Sequence, residues 1–70
     1  MEFAVCINNK DYSASLEVRK IYQVLPDPQA NNHQMIRVID ESGEDYLYPS
    51  SYFMAIELSE SVQQALATCL

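Results

Sequence analysis

The stretch MIRVIDESGEDYLYP, residues 35–49, decides the fold. Two arms, 35–39 and 44–48, are rich in the β-branched and aromatic residues that suit strands. Between them lies Asp40-Glu41-Ser42-Gly43, which holds the only glycine of the chain and so supplies the positive φ that a bulged hairpin loop needs. The spacing predicts an antiparallel β-hairpin. In its second arm Tyr46 and Tyr48 share a face and Leu47 points the other way, because side chains alternate along a strand. Pro49 closes that arm, since it has no N–H to give to a ladder.

Working outward, residues 16–25, LEVRKIYQVL, predict the longest strand, with Leu16, Val18, Tyr22 and Val24 on one face together with Lys20. Pro26 and Pro28 stop it, and Asp27-Pro28-Gln29-Ala30 can cap a single helical turn with proline in its first position. Residues 31–34 read as exposed loop. Residues 2–7 alternate with both faces largely apolar, Phe3, Val5 and Ile7 on one and Ala4 and Cys6 on the other, which predicts a short buried strand. Asn8-Asn9-Lys10-Asp11 then supplies turn chemistry. On the other side of the hairpin, residues 50–52 predict a tight turn and 53–58 the last strand. Ser59 can cap a helix with Glu60 in its first turn, and Val62, Ala65, Leu66, Cys69 and Leu70 follow a helical stripe. A helix this short is marginal alone in water, so its stripe must dock on the sheet or on another protein.

Seventy residues, 49% of them hydrophobic, make one domain with one small core. Such a core leaves about 3–5 kcal/mol of margin, which makes self-association a reading to keep in view. Ten carboxylates against four basic side chains give a formal charge of −6. That charge repels phosphate backbones and anionic membrane surfaces, so neither nucleic acid nor membrane is an expected partner. The opening MEFAVCINNK carries an acid where a secretory signal would be positive, and a cytoplasmic location is expected. Cys6 and Cys69 lack the close spacing of redox or zinc motifs and read as buried thiols. His33, the only histidine, falls in a polar loop. No cofactor or metal is expected.

The segment Tyr48-Pro49-Ser50-Ser51-Tyr52-Phe53 resembles the stretch before the last strand of Src-homology-3 domains, an aromatic or aliphatic residue followed by Pro-Ser-Asn-Tyr and an apolar residue. Ser51 stands where that family usually has Asn. The resemblance, with the short strands, the tight hairpin and the break near Pro49, implies a mainly β fold: a small SH3-like barrel of about five antiparallel strands with a short C-terminal α-helix. A single domain would span residues 1–70, barrel about 2–58 and helix about 59–70. By the same resemblance Pro49 and Tyr52 would line a groove for proline-rich peptides, Ser51 would touch the ligand and Phe53 would enter the core. The family's groove tryptophan is missing, and Asp11-Tyr12 is only a fragment of its paired tyrosine motif. Residues 36–49, IRVIDESGEDYLYP, also resemble the core signature of small bacterial proteins, which implies a bacterial cytosolic setting and brings no activity with it.

Asp40, Glu41, Glu44 and Asp45 crowd four carboxylates around one turn, where they could stay solvated, meet a basic protein or bind a cation. Their spacing does not fit a calcium loop. A hairpin tip is exposed, so nothing there tunes a carboxylate pair for acid–base work. With one histidine, no glycine-rich phosphate loop and no nucleophile elbow, the sequence reads as non-catalytic. The expected function is a protein-interaction module or accessory subunit that meets a basic protein through an aromatic and acidic surface: Tyr46, Pro49, Ser51 and Tyr52 with Asp40, Glu41, Glu44 and Asp45. The alternative is a self-associating structural or regulatory protein, a homodimer made through the C-terminal helix or a strand edge.

Overall fold

The computed structural model describes residues 2–68. The expected buried thiol of Cys69 and the last stripe position, Leu70, lie outside the described residues. Five strands form one sheet: β1 (Glu2–Cys6), β2 (Ile21–Leu25), β3 (Met35–Ile39), β4 (Asp45–Pro49) and β5 (Phe53–Ile56). Two helices, α1 (Pro28–Asn32) and α2 (Glu60–Thr68), and a 3-10 turn (Ser50–Tyr52) complete the fold. The strand order is β4-β3-β2-β1-β5, and every pairing is antiparallel.

The hairpin forms as its sequence predicts. Asp40 and Glu44 close the loop with an N–H to C=O bond of 3.1 Å, the Gly43 N–H donates to the Asp40 carbonyl, and Gly43 sits at φ 83°. The single helical turn is also present. Asp27 caps α1 by accepting from the Ala30 N–H at 3.0 Å, with Pro28 in the first turn. Asn31 and Asn32, expected in a loop, complete this helix.

The sheet is open, yet it cannot be flat. Strands β4 and β5 lie on opposite edges, which in a flat five-stranded sheet would stand about 19 Å apart. Only the 3-10 turn joins them, and three residues in that conformation advance about 6 Å. The sheet must therefore curl until its edges approach. Tyr48 from β4 and Phe53 from β5 meet across the gap with ring centroids 6.3 Å apart. The concave face so made holds the core: Ala4, Cys6, Tyr22, Val38, Tyr48 and Phe53, with Leu16 added from a loop.

Leu16 and its neighbours depart from the expected strand over 16–25, which begins only at Ile21. Arg19 lies at φ 73°, outside β geometry. Its N–H donates to the Cys6 carbonyl at 2.7 Å, while the Cys6 N–H donates to the Lys20 carbonyl at 2.9 Å. Two residues thus oppose one, which is a β-bulge with its first residue left-handed. Upstream of the bulge the chain turns back and Leu16 plugs the concave face at 1% exposure, whereas Val18 stays 39% exposed. The last strand is also shorter than expected, ending at Ile56.

On the convex face Phe3 is buried although it lies outside the core cluster. Leu66 of α2 lines the same hollow as Phe3 and Ile21. Ser59 caps α2, accepting a long 3.4 Å bond from the Val62 N–H. The expected stripe does not turn inward as a whole, since Val62 is 43% exposed and Ala65 is exposed. The Gln63 amide donates to the Leu58 carbonyl at 2.9 Å, and Gln63 and Leu66 are half-buried.

Two substitutions separate plug from strand. Leu16→Ala should cost about 2–5 kcal/mol, enough to unfold much of the population, while Val18→Ala should change stability by less than about 1 kcal/mol, both read by urea unfolding. Equal costs would return residue 16 to an ordinary surface strand. Arg19→Gly should stabilise by about 0.5–1 kcal/mol by relieving the left-handed backbone, and a loss of stability would show that the bulge carries no such strain.

Candidate functional site

The loop between β1 and β2 is tied into a compact turn. The Tyr12 N–H donates to the Asn9 carbonyl, the Ser15 and Leu16 N–H groups both donate to the Tyr12 carbonyl, and the Asn9 side-chain amide donates to the Leu16 carbonyl. Asp11 takes φ 71°, a conformation that Asp tolerates better than most residues. The Glu41 N–H donates to the Ser15 carbonyl at 3.1 Å, which moors the loop to the hairpin. Together these bonds deliver the Tyr12 ring to the rim of the core. It stands edge-on to Tyr48 at 4.9 Å and to Tyr52 at 6.0 Å, near the spacing at which aromatic pairs attract beyond their burial.

Tyr12 keeps 36% of its surface exposed. Beside it opens a shallow hollow of about 370 Å³, lined also by Tyr46, Leu47 and Ser42 with Tyr48 among its walls. Of the expected site residues, Tyr46 and Tyr52 are thus brought to the same ring: Tyr46 shares the hollow, and Tyr52 packs against Tyr12. Pro49 ends β4 and Ser51 is exposed on the 3-10 turn beside Tyr52. Tyr12 is the residue the sequence reading left out. Its signal was the Asp11-Tyr12 pair directly after a turn.

The four hairpin carboxylates do not act as one surface. Asp40 is buried and accepts three bonds, from the Ser42 N–H at 2.8 Å, the Ser42 hydroxyl and the Tyr48 phenol at 2.5 Å. Burial pushes its carboxyl up, but the Ser42 hydroxyl, the Tyr48 phenol and the Ser42 N–H together outweigh burial and hold it below the usual carboxylate range. The Lys20 ammonium, 2.6 Å away, and the Tyr22 phenol lower Glu41 as well. Asp45 pairs with Arg37 at 2.8 Å, and Arg37 also bonds the capping carboxylate of Asp27 at 2.9 Å. Among the described residues the Glu44 carboxylate accepts only the Tyr46 hydroxyl, at 3.2 Å. Asp40, Glu41 and Asp45 therefore tie elements of the fold together, whereas Glu44, in the same hairpin, and Asp11, which precedes Tyr12 in the chain, are exposed and take part in no ion pair among the described residues. Among the described residues no group of three or more His, Cys, Asp or Glu side chains is placed to hold a metal ion, and no helix is long and apolar enough to cross a membrane.

The Asp40–Tyr48 pair links stability to pH at both ends of the scale. The Asp40 carboxyl is lowered, so its contribution is present above the unfolded value near 3.8 and is lost as the pH falls through the folded value. Burial and the Asp40 carboxylate push the Tyr48 phenol up to about 12, so its contribution is complete below 10.0 and is lost as the pH climbs through about 12. Tyr48→Phe should cost about 1–3 kcal/mol at neutral pH, because a buried carboxylate loses a donor, and should flatten the acid loss of stability. Urea midpoints from pH 3 to 7 check this. A Tyr48→Phe profile parallel to that of the wild type would separate the phenol from the carboxyl.

No family model, no curated protein and no solved structure matches this chain, so the reading of this surface rests on its own residues.

Proposed function

We propose that the chain is a non-catalytic protein-interaction module, an SH3-like barrel that docks a partner carrying basic residues over Tyr12, Tyr46 and Tyr52. The barrel reading is supported by the strand order, in which β5 returns beside β1, and by the 3-10 turn that follows Pro49 and bends the chain between the two edges. The observation that carries the functional reading is the partly exposed Tyr12 ring, packed against Tyr48 and Tyr52 by a loop hydrogen-bonded to the hairpin. Rigid tyrosines offer contact area at small entropic cost, and their faces attract guanidinium and ammonium groups.

Charge supports the same partner. Glu44 accepts from the Tyr46 hydroxyl and Asp11 directly precedes Tyr12 in the chain, and among the described residues no ion pair neutralises either. The chain as a whole is at −6, a field that draws basic partners and speeds their encounter. Without a tryptophan wall a polyproline helix gains little here, so an extended segment bearing Arg or Lys fits better than a proline-rich one. An accessory subunit of a cytoplasmic bacterial assembly is the setting that suits such a module.

The test is a titration of isotope-labelled protein with an Arg-containing decapeptide and with its Glu-for-Arg counterpart, followed by amide shifts. The basic peptide should perturb Tyr12, Tyr46 and Tyr52 and bind in the micromolar to millimolar range, weakening with salt. Glu44→Lys and Tyr46→Ser, both at exposed positions, should each weaken it by about threefold to tenfold. Equal response to both peptides, or shifts confined to other faces, would refute the proposal.

A further inference from the structure

Among the described residues the two outer edges of the sheet pair with no further strand; they approach each other at the Tyr48–Phe53 corner, beyond which β5 is open at the exposed Ala55, and they are defended differently. The β4 edge carries Asp45 at one end and Pro49 at the other, residues that keep an edge from being extended. The β5 edge, FMAI, carries neither a charge nor a proline, and it lies within residues 46–56, the longest uncharged run of the chain. The Ile7 N–H donates to the Tyr52 carbonyl at 2.8 Å, which fixes the alternation of the β1–β5 ladder. Tyr52, Met54 and Ile56 then direct their backbone groups toward β1, and Phe53 and Ala55 direct theirs to the open side. The Phe53 N–H is taken by the Ser50 carbonyl, so the open edge presents the Ala55 N–H and C=O with the Phe53 C=O.

We infer that this edge pairs with the β5 edge of a second copy of the chain, antiparallel, about a two-fold axis at Ala55. The inference is independent of the aromatic surface and its partner. Several features fit a second copy rather than an unrelated strand. A two-fold axis normal to the sheet pairs residues of like facing, and centring it on Ala55 lets each Ala55 N–H donate to the other Ala55 carbonyl. The Glu57 N–H of each copy then meets the Phe53 carbonyl that was left over. Alanine, exposed here, puts no bulk at the axis. Met54, 59% exposed, falls opposite Ile56 of the second copy as a close apolar pair, and this happens twice.

The convex face is continuous with that contact. Ile21, Val5 and Met54 stand side by side in register across β2, β1 and β5, and pairing at Ala55 continues the row through Ile56 and Phe3 of the second copy. Charge does not oppose this register. Two chains at −6 can approach only where acids are kept apart, and the arrangement places the two Glu57 side chains about 14 Å from each other, beyond the screening length at physiological salt.

Sedimentation equilibrium of the full chain tests this. The wild type should pass with rising concentration from 8.0 kDa to twice that mass. Met54→Lys, at a solvent-exposed convex position, should raise the dissociation constant by about tenfold or more while circular dichroism shows a native fold. Ala55→Pro removes the outward N–H and should do the same, and if that variant does not fold, Met54→Lys decides alone. A wild type that stays at 8.0 kDa up to about 1 mM overturns the inference, as does a dimer that survives Met54→Lys. A dimer abolished by Val62→Lys and indifferent to Met54→Lys would overturn it in favour of contact through α2.

Discussion

The fold depends on one constraint: two strands that are neighbours in the chain, β4 and β5, are the farthest apart in the sheet, and three residues must bridge them. Short connections normally join adjacent strands, so the span between Pro49 and Phe53 can be met only by bending the whole sheet. Bending makes a concave face, and a concave face on so short a chain is what allows Tyr22, Val38, Tyr48 and Phe53 to reach one another. The 3-10 turn gains its place in this way. It also sets Tyr52 beneath Tyr12, so the constraint that closes the core also shapes the aromatic rim.

Carboxylates do the second part of the holding. Asp40 knots the hairpin turn to Tyr48, Glu41 ties the same turn to Tyr22 and Lys20, and Arg37 joins Asp27 at the cap of α1 to Asp45 on β4. A hairpin tip that looks like a uniform negative surface in the sequence is therefore divided. Buried Asp40 is held by hydrogen bonds from Ser42 and Tyr48, Glu41 and Asp45 are paired with cations at the surface, and Glu44 beside Tyr46 has no ion pair among the described residues. Exposed ion pairs add little stability one at a time, so the buried Asp40 matters more to the fold than the pairs that Arg37 makes at the surface.

Local signals were legible where a single residue type has one physical use. Gly43 marks its turn because of its φ, Asp27 and Pro28 mark a helix start, and the alternation in β1, β3 and β4 marks strands. What escaped were features set by distance in space. The run LEVRKIYQVL has strand composition throughout, but Arg19 opposite Cys6 bends it, and nothing in the spacing says that an arginine would take the left-handed place usually given to glycine. Tyr46 and Tyr48 share a face by period two, yet one is half exposed and the other buried, because the hairpin outruns the concave surface. Tyr12 was legible only as a fragment, since its role comes from a loop folded over the far end of the molecule.

The ladder between β1 and β5 pairs Phe3 with Ile56, residues roughly fifty positions apart in a chain of seventy. Joining them closes nearly the whole polypeptide into a ring, a step whose entropy is lost before its contacts form. The hairpin of β3 and β4, by contrast, is assembled from neighbours and needs no such closure. Folding should thus begin in the middle and finish where the ends come together, with β5 as the last element to settle and the first to peel away.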